Sequence, residues 1–351
     1  MMTRRPSRPA LWSPTVSMTL TPLSLLALLT ILTACATTSE TRPWNAVVPS
    51  VPFRGGLPAA KERLDRGDVE GAMRVTEEHL SLSPDDPSAH YTRGTLLLGK
   101  GRWVDARDAL ARAVAIEPDN AGAWNNLGIA QTELHERKAA EASFRKAAGL
   151  RAEDPTPWVN LGNVHARSGR YADAREAYDE ALFRDPQDQT LAIAHAGVLI
   201  RSGGHEQAVE TLESAMQTFG ETPEGLSTLA AALRGLGRGQ EALVQSEKAL
   251  ALAPDSPAVL LCVAMSLDFA ERPEAALAYE RAVTAAAGTG VEMGAVYNRA
   301  LYAMEKGDKP LATELLTRYL ELEPGDTPEH HNVVVLLDRL AKETPKPAPP
   351  P

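Results

Sequence analysis

The sequence predicts an all-α chain, an array of about eight helix-turn-helix units closed by one further helix. Three observations carry that expectation. Residue types recur at a fixed spacing of 34 positions through most of the chain. Hydrophobic residues make up 44% but aromatics only 5%, so a core must be built from Ala, Leu and Val on closely packed helices. No stretch alternates apolar and polar side chains as a half-buried strand does.

The elements follow in order. Arg4, Arg5 and Arg8 precede an apolar run, Leu20 to Leu32. That run is shorter than the roughly 20 apolar residues a spanning helix needs, and it reads as an export signal over residues 1–34. It ends on Leu32-Thr33-Ala34-Cys35, which resembles the lipobox of bacterial lipoproteins. The resemblance implies that Cys35 carries a lipid and becomes the first mature residue; an ordinary cleaved signal or an anchor helix are the alternatives. Ala36, rather than Asp, follows, which by the same resemblance points to the outer membrane, with the chain facing the periplasm. Residues 35–58, containing Pro, Ser, Thr and Gly, are expected to form a tether.

The array proper is expected over residues 59–326. In 121–154, Trp124, Leu127, Gly128, Ala140 and Phe144 stand against Trp158, Leu161, Gly162, Ala174 and Tyr178 of 155–188, each displaced by 34. Ala60, Gly94, Gly128, Gly162, Ala196, Ala230 and Ala264 form one column of small residues. Ala72, Ala106, Ala140, Ala174, Ala208 and Ala242 form a second. Pro84, Pro118, Pro186 and Pro254 fall at unit ends, where Pro stops a helix. Helix-breaking pairs mark the turns: Gly101-Arg102, Gly169-Arg170, Gly204-His205 and Gly307-Asp308. After Ala264 the frame reads as slipped by one residue, and a last unit near 293–326 shows Ala300, Ala312, Leu316 and Pro324. Residues 327–342, with Val333, Val334, Leu336, Leu337 and Leu340, read as an amphipathic capping helix. The Pro-rich tail, 343–351, is expected to be disordered.

The W-x2-L-G, A-x3-F and closing-Pro pattern resembles the tetratricopeptide repeat. The resemblance implies a right-handed superhelical solenoid with a concave groove, faced by positions 2, 5, 6 and 9 of each unit's first helix. Position 6 reads Thr92, Asn126, Asn160, Ala194, Thr228, Cys262 and Asn298. With Tyr91, Thr95, Asn125 and Asn163 these make a polar upstream half. Ile193, Ile200, Leu261, Met265, Tyr297 and Leu301 make an apolar downstream half. Carboxamides can both donate to and accept from a peptide backbone; the alternative is that they bond within the repeat.

Motifs for chemistry are missing from the sequence. His135-Glu136 and His205-Glu206 each lack the second His of a zinc-binding H-E-x-x-H. Gly235, Gly237 and Gly239 lie between helices, not after a strand as a phosphate-binding loop would. No G-x-S-x-G occurs. No catalysis, metal or cofactor is expected. Net charge is −10, and the three arginines before Cys35 leave −13 on the rest, which disfavours nucleic acid. The function these readings imply is a lipid-anchored scaffold that binds protein partners and helps assemble an envelope complex for secretion or motility. Its architecture is similar to pilotin-like lipoproteins of type IV pilus systems. A regulatory or adaptor subunit of a cell-wall or polysaccharide enzyme is the alternative.

Overall fold

The computed structural model describes residues 57–343 apart from 324 and 326. The signal segment, Cys35, nearly all of the tether, Pro324 and the Pro-rich tail from residue 344 onward lie outside the described residues, while Glu343 still belongs to the last helix. Within them are seventeen α-helices and no strand.

Sixteen helices pair in sequence. They are α1 (Pro58–Asp65) with α2 (Val69–Leu82), α3 (Pro87–Gly99) with α4 (Trp103–Ile116), α5 (Ala121–Glu133) with α6 (Arg137–Leu150), and α7 (Thr156–Arg167) with α8 (Tyr171–Arg184). Then come α9 (Gln189–Arg201) with α10 (His205–Phe219), α11 (Pro223–Gly235) with α12 (Gly239–Leu252), α13 (Pro257–Phe269) with α14 (Ala275–Ala286), and α15 (Glu292–Glu305) with α16 (Lys309–Leu322). The last helix, α17 (Pro328–Glu343), stands alone against α16. Among the described residues no helix is long and apolar enough to cross a membrane.

Each pair closes through the same turn. In α5–α6, His135 N donates to Thr132 O and Glu136 N to Gln131 O, which is the Schellman arrangement with a left-handed residue after the helix. Gly67, Gly101, Gly169, Gly203, Gly237 and Gly307 hold the same place at positive φ, and His135 and Glu271 hold it without being Gly. The left-handed residue before α10 is therefore Gly203, not Gly204, which caps the helix instead.

The small-residue column is where paired helices come closest. A Cβ on Gly94 would sit 2.4 Å from Leu110 Cγ, and one on Gly128 2.6 Å from the Phe144 ring. Gly162 faces the larger Tyr178 ring at 3.2 Å. A small residue on the first helix and a large one 16 positions later thus fill one space together.

The sequence holds a further 34-residue column that the reading above missed. Asp86, Asn120, Asp154, Asp188 and Thr222 precede the first helices, and each accepts a hydrogen bond from an amide of the first helical turn. Each such cap contributes about 1 kcal/mol. The frame after Ala264 also differs from a slip of one. The second-helix alanine column runs Ala242, Ala275, Ala312, so one residue is lost before α14 and three are gained before α15. The enlarged linker is tied by Glu292, which accepts from Gly288 N (2.6 Å) and pairs with Arg318.

First helices pack on first helices: α3 on α5, α5 on α7, α9 on α11, α11 on α13 and α13 on α15. Second helices make no comparable packing with one another. The array therefore curves with the first helices on its inner side.

Candidate protein-binding groove

Position 6 of the inner helices is largely consumed by the fold. Thr92 Oγ1 accepts from Leu57 N (3.0 Å) and donates to Ser88 O (2.7 Å). Asn126 Nδ2 donates to Thr95 Oγ1 (2.9 Å), whose own proton goes to Tyr91 O (2.9 Å). Asn160 Nδ2 donates to Asn125 Oδ1 (2.9 Å) across the α5–α7 seam, and Cys262 Sγ lies 3.6 Å from Ser227 O across α11–α13. Thr228 and Asn298 bond back to Glu224 O and Gly294 O in their own helices. Only Ala194 has no polar group to spend. The column locks neighbouring repeats together, and Asn126, 1% exposed, does not face water.

The apolar downstream half is core. Every residue from Gly225 to Arg234 in α11 and from Ala258 to Ser266 in α13 is buried, as in a helix enclosed on all sides. Leu261, Met265 and Ile200 are sealed, and Tyr297 packs its ring 5.4 Å from that of Tyr319. Ile193 and Leu301 are half-buried against the same cluster. Position numbering tells which way an inner helix faces, but not how closely its neighbour approaches. Here the inner helices α9, α11, α13 and α15 pack directly on one another.

The accessible inner face accordingly lies upstream, from α3 to α9. Thr95, Gly122, Thr132, Val159, Ile193 and Ala194 are half-buried there. Tyr91 lies beneath it, fully buried, with its hydroxyl beside Gly122. Asn125, Asn160 and Asn163 sit at the α5–α7 seam at 5%, 6% and 9% exposure. Asn163 Oδ1 accepts from Tyr178 OH (2.6 Å), and burial pushes the Tyr178 phenol well above its usual value.

Buried titratable groups are spread along the array rather than gathered at this face. His165 is buried with its Nδ1 3.8 Å from Glu141 Oε1, and Glu141 is held by Arg170 at 2.6 Å. Burial, ahead of repulsion from Arg170, holds the imidazole below its ordinary value. Burial does the same to His195 despite Asp179 at 3.1 Å. Asp268, at the end of α13, is pushed up to about 6, by burial first and by Glu305 next. Arg234 is enclosed, donating to Ser266 Oγ at 2.7 Å. Along one edge, Trp124 Nε1 donates to Pro118 O (2.9 Å). One repeat on, Arg184 takes the equivalent carbonyl of Ala152 and stacks 5.0 Å over the Trp158 ring, which leaves Trp158 Nε1 without an acceptor. Among the described residues no three His, Cys, Asp or Glu converge as a metal site would require.

Comparison with known proteins agrees with this architecture. The family model described as Cilia and flagella-associated protein 70 C-terminal domain matches residues 30–256, well over half of the chain. The chain is 31% identical over 86 residues to the human (Homo sapiens) protein O-mannosyl-transferase TMTC3, a match that covers 24% of this chain and 9% of that protein's length. A solved tetratricopeptide repeat protein from Parabacteroides merdae ATCC 43184 superposes with a TM-score of 0.63 at 16% identity, over 76% of this chain and 99% of that one. Yeast Tom70 superposes at 0.56 and 18% identity, over 79% of this chain and 60% of that one. These structural likenesses concern the fold: an all-α tetratricopeptide solenoid.

Proposed function

We propose, from the premise that the chain belongs to the tetratricopeptide family of the Cilia and flagella-associated protein 70 C-terminal domain, that it is a protein-binding scaffold with no catalysis of its own. One observation carries this reading: the inner face from α3 to α9 leaves polar and small groups open to solvent, on helices that the outer layer holds in place. A preformed concave surface lowers the ordering cost of binding a partner segment. The short match to a mannosyl-transferase brings no activity with it, because it spans so small a share of that protein.

The finer reading rests on the sequence before the solenoid. Cys35, after its apolar run, is the lipid attachment point, and residues 36–56 join it to the first repeat. A lipid of more than one chain anchors stably where a single chain does not. The scaffold then works at a membrane of the bacterial envelope and holds a partner there during assembly of an envelope complex, with a type IV pilus or secretin system as the specific version.

Two measurements test the parts separately. A photocrosslinking residue at Val159, on the inner face, should capture a discrete partner in living cells, and one at Phe183, which is 84% exposed on the outer layer, should not. Equal capture from both sites, or none from Val159, would remove the groove as the working surface. Metabolic labelling with a fatty-acid analogue should mark the wild type and not Cys35→Ala; equal labelling would remove the anchor.

A further inference from the structure

We propose that the joint between α8 and α9 is a hinge that divides the solenoid into two arms, and that the buried imidazole of His195 is its acid-released latch. This goes beyond the scaffold reading, since it concerns how the inner face changes shape and not what binds there.

The core is interrupted at this joint. Buried apolar side chains from Leu57 to Ala177 form one connected cluster, which takes in Leu161 and Val164 of α7. Those from Ala196 to Leu340 form a second, which takes in Leu199 and Ile200 of α9. Between them, Ala174, Tyr178 and Ala181 of α8 meet Leu191 and Val198 of α9 in a small cluster of their own. A close-packed core transmits displacement through its contacts, so a break in it is where two bodies can rotate. The inner helices are parted there as well: α7 does not pack on α9 as α5 does on α7 and α9 on α11, so the joint rests on the α8–α9 contact. The position-6 tie is also missing. Thr92, Asn126, Asn160 and Cys262 each reach back to the preceding repeat, whereas Ala194 of α9 has no polar group to do so. Arg201 Nη1 does meet Tyr171 OH across the joint, but at 3.4 Å, the long end of hydrogen bonding.

What closes the joint is partly polar. His195 of α9 is 7% exposed, with its ring 6.5 Å from that of Tyr178 on α8. Neither ring nitrogen makes a hydrogen bond: Asp179 Oδ1 comes within 3.1 Å of Nε2 but out of line, and Nδ1 has no acceptor or donor. An imidazole sealed in this way destabilises the closed joint, and water satisfies it when the joint opens. The charged groups acting on His195 are Asp179 and Arg175, both from α8; α10 and α11, which also pack on α9, set none against it. Burial outweighs Asp179 and holds the imidazole below its ordinary value. The closed joint therefore binds a proton less well than an open one in which the ring meets water, and acid favours the open state. Val159 on α7 and Ile193 and Ala194 on α9 lie on either side of the joint, so its opening changes the spacing across the accessible inner face at that point.

Spin-label distances on the full chain, read by double electron–electron resonance, test the hinge and the latch together. Labels carried on an unnatural amino acid leave the native cysteines untouched. A pair at Lys146 and Glu247 spans the joint, while Glu78 with Lys146, and Glu247 with Glu314, lie within single arms; all four positions are exposed. At about pH 7.5 the distance across the joint should be spread more widely than either arm distance, and at about pH 5.5 it should gain in its open population while the arm distances stay fixed. An imidazole of ordinary value 6.5 takes up its proton between those conditions, so the open-to-closed ratio should rise by at most about tenfold. His195→Gln should abolish the rise and His165→Gln should leave it. Asp179→Asn removes the closed joint's partner for a charged ring and should enlarge it. Each variant should keep the helical circular dichroism of the wild type. In the wild type alone, a distance across the joint as narrow as the arm distances and unchanged by acid would overturn the proposal. An acid response that survives His195→Gln, or that appears equally within the arms, would do the same.

Discussion

His135 occupies a left-handed conformation, φ 60°, that six of its equivalents reserve for Gly. A Cβ there crowds the following carbonyl at a cost of about 1–2 kcal/mol, and the added entropy of an unfolded Gly offsets part of the gain. His135 is exposed, so no packing is lost on its removal. His135→Gly should therefore stabilise the α5–α6 hairpin by about 1 kcal/mol, seen as a higher thermal midpoint by calorimetry. A lower midpoint would mean that the imidazole makes a contact worth more than the strain. That the turn falls here was legible from the 34-residue register; that the register would override residue preference was not. The groove amides teach the converse. Their spacing put Asn125, Asn126, Asn160 and Asn163 on inner helices, but a hydrogen bond between repeats depends on how far apart α3, α5 and α7 lie. Only the folded chain fixes that distance, and with it which amide atoms are left over.

At the scale of elements, the helices differ in what protons do to them. His165 in α7 and His195 in α9 are held neutral by burial, with folded values below the ordinary 6.5. Their unfolded forms bind more protons, so their contribution is present above about pH 6.5 and is lost as pH falls toward the folded values. Asp268 in α13 behaves oppositely. Burial and Glu305 raise it to about 6, against Lys306 at 3.9 Å and the Tyr279 hydroxyl at 3.3 Å. Its contribution is present below the unfolded carboxylate value and is lost as pH rises through about 6. Lowering the pH from about 7.5 to 5.5 should then loosen α7–α9 while firming α13–α14. Hydrogen exchange followed by mass spectrometry, corrected for the intrinsic rate, reads both segments at once. His165→Gln should flatten the response near α7. A uniform change along the chain would show that neither group controls its own repeat.

For the whole molecule, stability comes from stacking, since one hairpin cannot cover its own apolar face. The ends then matter most. The α17 helix buries Val333, Leu336 and Leu340 in the cluster that also contains Leu316 and Tyr319, and turns charged residues such as Asp338 and Lys342 outward. A chain stopped after Glu323 should expose that cluster, aggregate more readily and lose exchange protection first in α15–α16, with α3–α7 little affected. Uniform loss from end to end would mean that the solenoid unfolds as one unit.

The sequence by itself determined the helical class, the count of repeats, the places of the turns and the closing helix. These follow from local choices, a breaker, a small residue or a cap, repeated every 34 positions, and each works within a hairpin. What only the tertiary structure decided was the shape of the inner face. Leu261, Met265 and Tyr297 occupy groove positions by their numbering, yet they are core, because α9, α11, α13 and α15 pack directly on one another. The Ala264-to-Ala300 interval reads in sequence as a slip of one residue, whereas the folded chain loses one residue and gains three, with Glu292 bridging Gly288 and Arg318 in the enlarged linker. Contacts between repeats join residues about 30 positions apart, and a periodic sequence states that such residues are equivalent without stating how near they come.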